Sequence, residues 1–124
     1  MFGFGKKNNW SLELSGEVFS PVYWEMIRTG LVGLRQTDDD SFLILARNPG
    51  KRNEQFLQTA LPTASSGLPP VYSVITAVKK NGAIVPYVIE MPELGEVVVF
   101  FRDYFNGKPL DLSLFSVMPM YRPE

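Results

Sequence analysis

The chain has 124 residues, of which 45% are hydrophobic and 20% charged, and its net charge is −1 at pH 7. This balance is typical of a folded globular domain and lacks the basic excess of nucleic-acid-binding proteins. The absence of cysteine and histidine excludes disulfides, thiolate nucleophiles, Cys- or His-ligated metal sites and His-based acid–base catalysis. An enzyme built on this chain would have to use Asp, Glu, Lys, Tyr, Arg or a bound cofactor; we expect no cofactor and no metal ion.

The first nine residues, Met-Phe-Gly-Phe-Gly-Lys-Lys-Asn-Asn, are interpreted as a tail that precedes a single domain at residues 10–124. Phe2 and Phe4 support the alternative that this segment is an arm that binds a partner. It lacks the apolar stretch of a secretory signal, and no stretch of the chain approaches the roughly 20 apolar residues of a membrane span. The sequence thus predicts a cytoplasmic protein without a membrane span.

The domain begins with a strand pattern followed by a helix pattern. Residues 10–19 alternate apolar and polar side chains, which predicts a strand with one solvated face. Ser20 and Pro21 fit the cap and first position of a helix. Gly30 fits the end of that helix, because glycine tolerates the left-handed conformation found there.

The middle of the chain contains a short apolar run, a turn and a Pro- and Ser-rich stretch. Residues 42–47 are apolar at both alternate sets of positions, which predicts a central strand. Residues 48–51, Asn-Pro-Gly-Lys, predict a turn, and residues 54–60 predict a second short helix. Residues 61–70 predict a loop that is suited to binding a partner.

The C-terminal half contains two Asn-Gly pairs, each between two runs of strand-forming residues. Asn-Gly is the strongest short signal of a hairpin, because both central positions of its turn need positive φ. The pattern predicts a meander of four antiparallel strands at residues 71–80, 83–91, 96–105 and 108–118. We therefore expect an α+β fold in which an N-terminal strand and one or two short helices pack on one face of an antiparallel β-meander with two Asn-Gly hairpins.

The predicted strands at 96–105 and 108–118 carry apolar side chains on both faces. Two short helices cover one face of such a sheet, so we interpret the second face as a protein interface. The alternative is closure of that face by the strand at 10–19. The predicted interface residues are Phe100, Tyr104, Leu112, Phe115, Val117, Met120 and Tyr121, with Phe2, Phe4 and residues 61–70 as second choices.

The leading hypothesis is a non-catalytic protein-binding or assembly module that contacts another protein or a second copy of itself. An oligomeric structural subunit, a secretion-type chaperone and an immunity-type inhibitor are all compatible with it. One alternative is an anion- or nucleic-acid-binding domain that uses the basic loop with Lys51 and Arg52 at a predicted helix N-terminus, helped by Lys79 and Lys80. Another is a small carboxylate-based enzyme. The acidic residues 38–40 do not fit a calcium-binding loop, so no metal ligands are predicted.

Overall fold

The fold is a seven-stranded antiparallel sheet with two helices on one of its faces. The computed structural model describes residues 9–118. The strands are β1 (Trp10–Leu14), β2 (Glu17–Phe19), β3 (Phe42–Arg47), β4 (Gln55–Ala60), β5 (Tyr72–Lys80), β6 (Ala83–Met91) and β7 (Ser116–Val117), in the spatial order β2-β1-β3-β4-β5-β6-β7. The helices are α1 (Trp24–Gly33) and α2 (Leu94–Phe105). The predicted α+β class, with its N-terminal strand and antiparallel sheet, is confirmed.

Side-chain alternation along the strands divides the sheet into a helix-covered face and a helix-free face. Leu12, Leu45 and Leu57 lie in register on β1, β3 and β4, and all three are fully buried beneath the helices. Val74 continues this buried layer on β5. The residues between these positions point to the other side of the sheet, where no described element covers them.

The two helices bury one stripe each and pack against each other. Val97, Phe101 and Phe105 of α2 are spaced by four residues and fall on one side of the helix, where all three are fully buried. Ile27 and Leu31 have the same spacing in α1 and are also fully buried. The core is therefore a single layer of apolar side chains between the helices and the sheet.

Gly30 sets the distance between α1 and the sheet. A Cβ atom at this position would lie 2.7 Å from Leu14 Cδ2 and 2.9 Å from Leu43 Cδ1, closer than real Cβ contacts. The sequence predicted that the helix ends at Gly30, and this prediction is wrong. Gly30 lies within α1, which continues to Gly33, and a side chain at this position would displace the ends of the Leu14 and Leu43 side chains.

The predicted strand at 96–105 is wrong, because these residues belong to α2. Apolar residues four apart fit both a strand of period two and a helix of period 3.6, so this pattern alone does not separate the two structures. Asn106 and Gly107 accordingly follow a helix and do not form a hairpin. The Gly107 N–H donates to Tyr104 O at 3.1 Å, and the positive φ of Gly107, +100°, ends the turn.

The predicted helix at 54–60 is also wrong, because residues 55–60 form β4. The predicted strand at 108–118 contains only the two-residue β7, preceded by a short 3-10 turn at Leu112–Leu114. Residues 10–19 are not one strand but the hairpin β1–β2, which turns at Ser15 and Gly16 with φ of +50° and +98°. Pairing of β4 with β3 and β5 overrides its local helical pattern.

The beginning of α1 differs from the predicted cap. Ser20 Oγ donates to Trp10 O at 3.0 Å and thus ties the chain back to β1 instead of capping a helix. The Ser20–Pro21 peptide bond is cis, and α1 begins three residues later at Trp24. The first Asn-Gly pair forms the predicted β5–β6 hairpin, with φ of +51° at Asn81 and +83° at Gly82.

Candidate protein-binding face

The helix-free face carries a band of apolar side chains across its centre. Ile44, Phe56, Ile75 and Val88, one from each of the strands β3 to β6, are only partly buried. Ile75 and Val88 lie directly opposite each other on β5 and β6. Alanines and a proline fill neighbouring positions of the same face, namely Ala46, Ala60, Ala77 and Pro86. We call Ile44, Phe56, Ile75 and Val88 the apolar band.

Two strongly exposed residues flank this band. Val18 on the edge strand β2 and Ile84 near the β5–β6 turn each expose 64% of their surface. The polar side chains of the same face are Ser11, Glu13, Gln58, Ser73, Lys79, Glu90 and Ser116. The face thus has apolar residues at its centre and polar residues around and between them.

Two hollows on this face are lined by residues of the apolar band. The first, of about 340 Å³, is lined by Ser11, Glu13, Val18, Ile44, Ala46, Glu54, Phe56 and Gln58. The second, of about 470 Å³, lies at β5 to β7 and the segments around them. It is lined by Ser73, Ile75, Val88, Ile89, Glu90, Leu114, Ser116 and Met118. We call them the β1–β4 hollow and the β5–β7 hollow. Both hollows are concave regions of the helix-free face.

A larger groove, of about 560 Å³, lies elsewhere, between α1 and the β1–β2 hairpin. Its walls include Met26, Leu14 and Phe42, and its base lies beside Gly30, where the helix approaches the sheet. The groove is open to solvent along its length, and no cluster of charged side chains converges in it. It therefore provides an apolar surface but no chemistry.

Most of the predicted interface residues belong to the helix-covered side. Phe100 and Phe115 pack against each other with ring centroids 5.9 Å apart, and Phe115 is buried. Leu112 is partly buried against the core. Val117, on β7, is 43% exposed. Met120 and Tyr121, as well as Phe2 and Phe4, lie outside the described residues.

Tyr104, another predicted interface residue, is buried with only 2% of its surface exposed. Its ring makes an edge-on contact with Trp10 at a centroid distance of 5.3 Å. Its hydroxyl oxygen has no hydrogen-bond partner among the described residues. Burial raises the pKa of this phenol well above its ordinary value, and the positive charge of Arg47 lowers the pKa only in part. Tyr104 is therefore a core residue.

Replacing Tyr104 with Phe removes an unsatisfied buried hydroxyl and keeps the ring contacts. We expect Tyr104→Phe to stabilise the protein at pH 7 by about 1 kcal/mol in urea unfolding. The raised pKa means that the native state keeps its proton above pH 10 while the unfolded state loses it. Wild-type stability should therefore fall relative to the variant as pH rises above 10. A variant less stable than wild type at pH 7 would show that the hydroxyl has a partner.

The basic loop occupies the turn between β3 and β4. Lys51 and Arg52 are exposed there, and the segment that follows is β4, so the helix N-terminus expected to help bind an anion is absent. β3 and β5 run in the same direction, because each is antiparallel to β4. The β5–β6 turn beside Lys79 and Lys80 therefore lies at the same end of the sheet as the basic loop.

The carboxylates with lowered pKa have structural partners. Asp38 accepts a hydrogen bond from Ser65 N at 2.9 Å, which lowers its pKa and ties residues 34–41 to the 61–70 loop. Asp111 accepts hydrogen bonds from Ser113 Oγ at 2.6 Å and Ser113 N at 3.1 Å, which lower its pKa and cap the 3-10 turn.

Residues 9–118 contain no group of three or more Asp or Glu side chains that could hold a metal ion. Within the same range, no helix has the length and hydropathy to cross a membrane. Comparison of the chain with protein-family models, with curated proteins and with solved structures finds no match.

The sequence reasoning missed the four residues of the apolar band. One signal was present, since residues 42–47 are apolar at both sets of alternate positions, as are long parts of 71–80 and 83–91. For residues 42–47 this pattern predicts a central strand that is buried on both faces. Only the placement of both helices on one face reveals that the other is left open.

Proposed function

We propose that this protein is a non-catalytic protein-binding or assembly module, located in the cytoplasm, and that it contacts its partner with the helix-free face of its sheet. The observation that carries this proposal is the apolar band of Ile44, Phe56, Ile75 and Val88, which no described element covers. The partner is another protein or a second copy of the chain.

The composition of this face supports the proposal. An antiparallel sheet with one face in water usually carries polar residues at the solvated positions. Here β3 to β6 each place a large apolar side chain there, and Ile84 is largely exposed as well. Removing apolar surface from water contributes about 25 cal/mol per Å², so covering the band would favour association. Large exposed apolar patches on single proteins are typical of such binding sites.

The chemistry of the side chains also favours binding over catalysis. The two carboxylates with lowered pKa, Asp38 and Asp111, are held by serine within their own loops. Tyr104, whose phenol pKa is raised by burial, lies in the core. Asp103, Tyr104, Lys108 and Asp111 line one hollow of about 200 Å³. In this hollow Lys108 pairs with Asp103 at 3.9 Å and Asp111 is held by Ser113, so these charged side chains already have structural partners.

One observation favours the anion- or nucleic-acid-binding alternative as a second candidate. Lys51 and Arg52 lie at the same end of the sheet as Lys79 and Lys80, and all four are exposed. Phosphate groups could contact several of these cations together. Glu54 lies in the same turn as the first pair and reduces the local positive charge.

The proposal is tested by hydroxyl-radical footprinting of the tagged protein purified from its own cells. We expect modification of Ile75 and Val88 to fall several-fold in the assembled form relative to the isolated chain, because their side chains become covered. Val99, 45% exposed on α2, serves as the control and should be modified equally in both forms. Protection of Lys51 and Lys79 with unchanged Ile75 would contradict the proposal and favour the second candidate.

A further inference from the structure

We propose that the end of the sheet with Lys51, Arg52, Lys79 and Lys80 binds the surface of a membrane that contains anionic lipids. This goes beyond the proposed function, because it names a second contact surface and leaves the apolar band open to the protein partner. We call residues 47–54 and 79–84, the β3–β4 turn and the tip of the β5–β6 hairpin, the basic end.

The register of the sheet brings the two basic pairs together. β4 and β5 are paired with Gln58 opposite Ile75. Continuing this antiparallel register toward the turns places Lys79 level with Glu54. Neighbouring strands are about 4.8 Å apart, so the β3–β4 turn with the other basic pair lies beside the tip of the β5–β6 hairpin. The four exposed cations therefore form one surface.

The positive charge of the basic end is largely uncompensated. None of its cations forms an ion pair with a described residue. Lys80 Nζ lies 5.3 Å from the centroid of the Tyr87 ring, a contact that leaves its charge in place. Arg47 adds a fifth cation, 5.9 Å from the centroid of the Trp10 ring. The basic end thus carries five cations and one carboxylate, that of Glu54, a net charge of +4.

Most acidic side chains lie at the opposite end of the sheet. They belong to the β1–β2 hairpin, the segment before β3, the end of β6 and the start of α2, and all are exposed, namely Glu17, Asp38, Asp39, Asp40, Glu90, Glu93 and Glu96. Strand β5 has nine residues, so at about 3.3 Å per residue the two ends lie roughly 30 Å apart. The Debye length in physiological salt is about 8 Å. The acidic end therefore does not cancel the attraction of the basic end to an anionic surface, and it favours an orientation in which the acidic end points away.

Ile84 adds an apolar contact at the basic end. It is 64% exposed, lies directly opposite Lys79 on the hairpin and is not part of the apolar band. Its neighbour Ala83, opposite Lys80, is exposed as well. At a membrane surface the cations of such a tip meet lipid phosphates, and the aliphatic side chain leaves water in the interfacial layer. A nucleic acid would contact the cations but offers Ile84 no apolar layer, so this side chain favours a lipid surface.

Sedimentation with lipid vesicles tests this inference on the full chain without any protein partner. We expect the wild-type protein to bind vesicles of one part phosphatidylserine to three parts phosphatidylcholine, and to stay in solution with vesicles of phosphatidylcholine alone. Each cation at an anionic surface contributes a factor of about five in affinity, so Lys51→Gln with Arg52→Gln should bind about 25-fold more weakly. The control Arg28→Gln with Arg35→Gln removes the same charge from exposed positions outside the basic end and should bind like wild type.

Ile84→Ser separates a lipid surface from other polyanions. This variant keeps every charge and should bind the anionic vesicles several-fold more weakly than wild type, because it loses the apolar contact. Binding of Ile84→Ser equal to that of wild type, with a single-stranded oligonucleotide bound more tightly than the vesicles, would overturn the proposal in favour of a nucleic acid. Equal binding to both kinds of vesicle, or to neither, would also overturn it. So would sedimentation without vesicles, because the basic end would then contact the acidic end of another copy.

These results are independent of the proposed function. The vesicle assay uses the isolated chain, so failure to find a protein partner leaves it intact. Conversely, absence of vesicle binding leaves the footprint of Ile75 and Val88 in an assembled form unaffected.

Discussion

Phe105→Ala is expected to lower the free energy of unfolding by about 3–5 kcal/mol, the range for removing a fully buried ring. Phe105 is fully buried at the end of α2. Its ring lies 5.1 Å from the Trp10 ring of β1 and 6.5 Å from the Trp24 ring of α1, measured between centroids. The substitution therefore leaves a cavity where both helices and the sheet meet. Urea unfolding followed by circular dichroism measures the loss.

Val99→Ala on the same helix is the control for this substitution. Val99 is 45% exposed, so its truncation should cost less than about 0.5 kcal/mol. Both variants shorten an apolar side chain in α2 to alanine, one at a buried position and one at an exposed position. Equal losses in the two variants would mean that α2 does not pack on the sheet through the Val97, Phe101 and Phe105 side.

Leu57→Lys is expected to unfold the protein, whereas Phe56→Lys next to it is expected to leave the protein folded. Leu57 is fully buried opposite Leu45 beneath the helices, and an unpaired charge there costs at least about 3–5 kcal/mol. Phe56 points to the helix-free face, where a lysine keeps its stem on the apolar surface and its ammonium group in water. The Phe56 variant should lose less than about 2 kcal/mol.

Thermal unfolding measured by circular dichroism distinguishes the two variants. A small domain has a total stability of about 5–15 kcal/mol, so Leu57→Lys should show no cooperative transition or one at a greatly lowered temperature. Phe56→Lys should keep a cooperative transition near that of wild type. Unfolding of both variants to the same extent would show that the second face of the sheet is also core, as the alternative of a closed sandwich required.

The β5–β6 hairpin was predictable because its information is local. Asn81 and Gly82 provide the two positive φ angles of the turn, and the strands on either side have the predicted bounds to within one residue. The central strand β3 was predictable for a similar reason, since five consecutive apolar residues and Arg47 are followed by clear turn residues. Neither feature depends on knowing which distant segment packs where.

The identity of α2 was not predictable from its apolar pattern. Val97, Phe101 and Phe105 repeat every four residues, a spacing common to strand and helix, and the β-branched run 97–99 favours a strand locally. Packing decides in favour of a helix, since α2 contacts β5 and β6 and supplies four buried residues to the core. The second Asn-Gly pair then follows a helix, where a glycine with positive φ is equally well suited.

The candidate binding face could not be predicted from the sequence for a related reason. Ile44, Ile75 and Val88 lie on one surface only through the register of β3 to β6. The segment 54–60 had to be recognised as the strand that joins them, and its local pattern predicted a helix. The general expectation that the helices cover one face of the sheet was correct. Two of the residues named for the other face, Phe100 and Tyr104, came from a predicted strand that is helix α2.

The most direct test of the proposed binding face is the affinity of Ile75→Lys for the species that the wild-type protein binds, whether a partner or a second copy. Ile75 lies at the centre of the apolar band beside Val88, and a lysine there would bring a charge into the interface. We predict an affinity at least about 100-fold weaker, as for truncation of a central contact residue. Val99→Lys, on the outer side of α2, should bind like wild type. An unchanged affinity of Ile75→Lys, with its fold intact, would contradict the proposal that this face binds the partner.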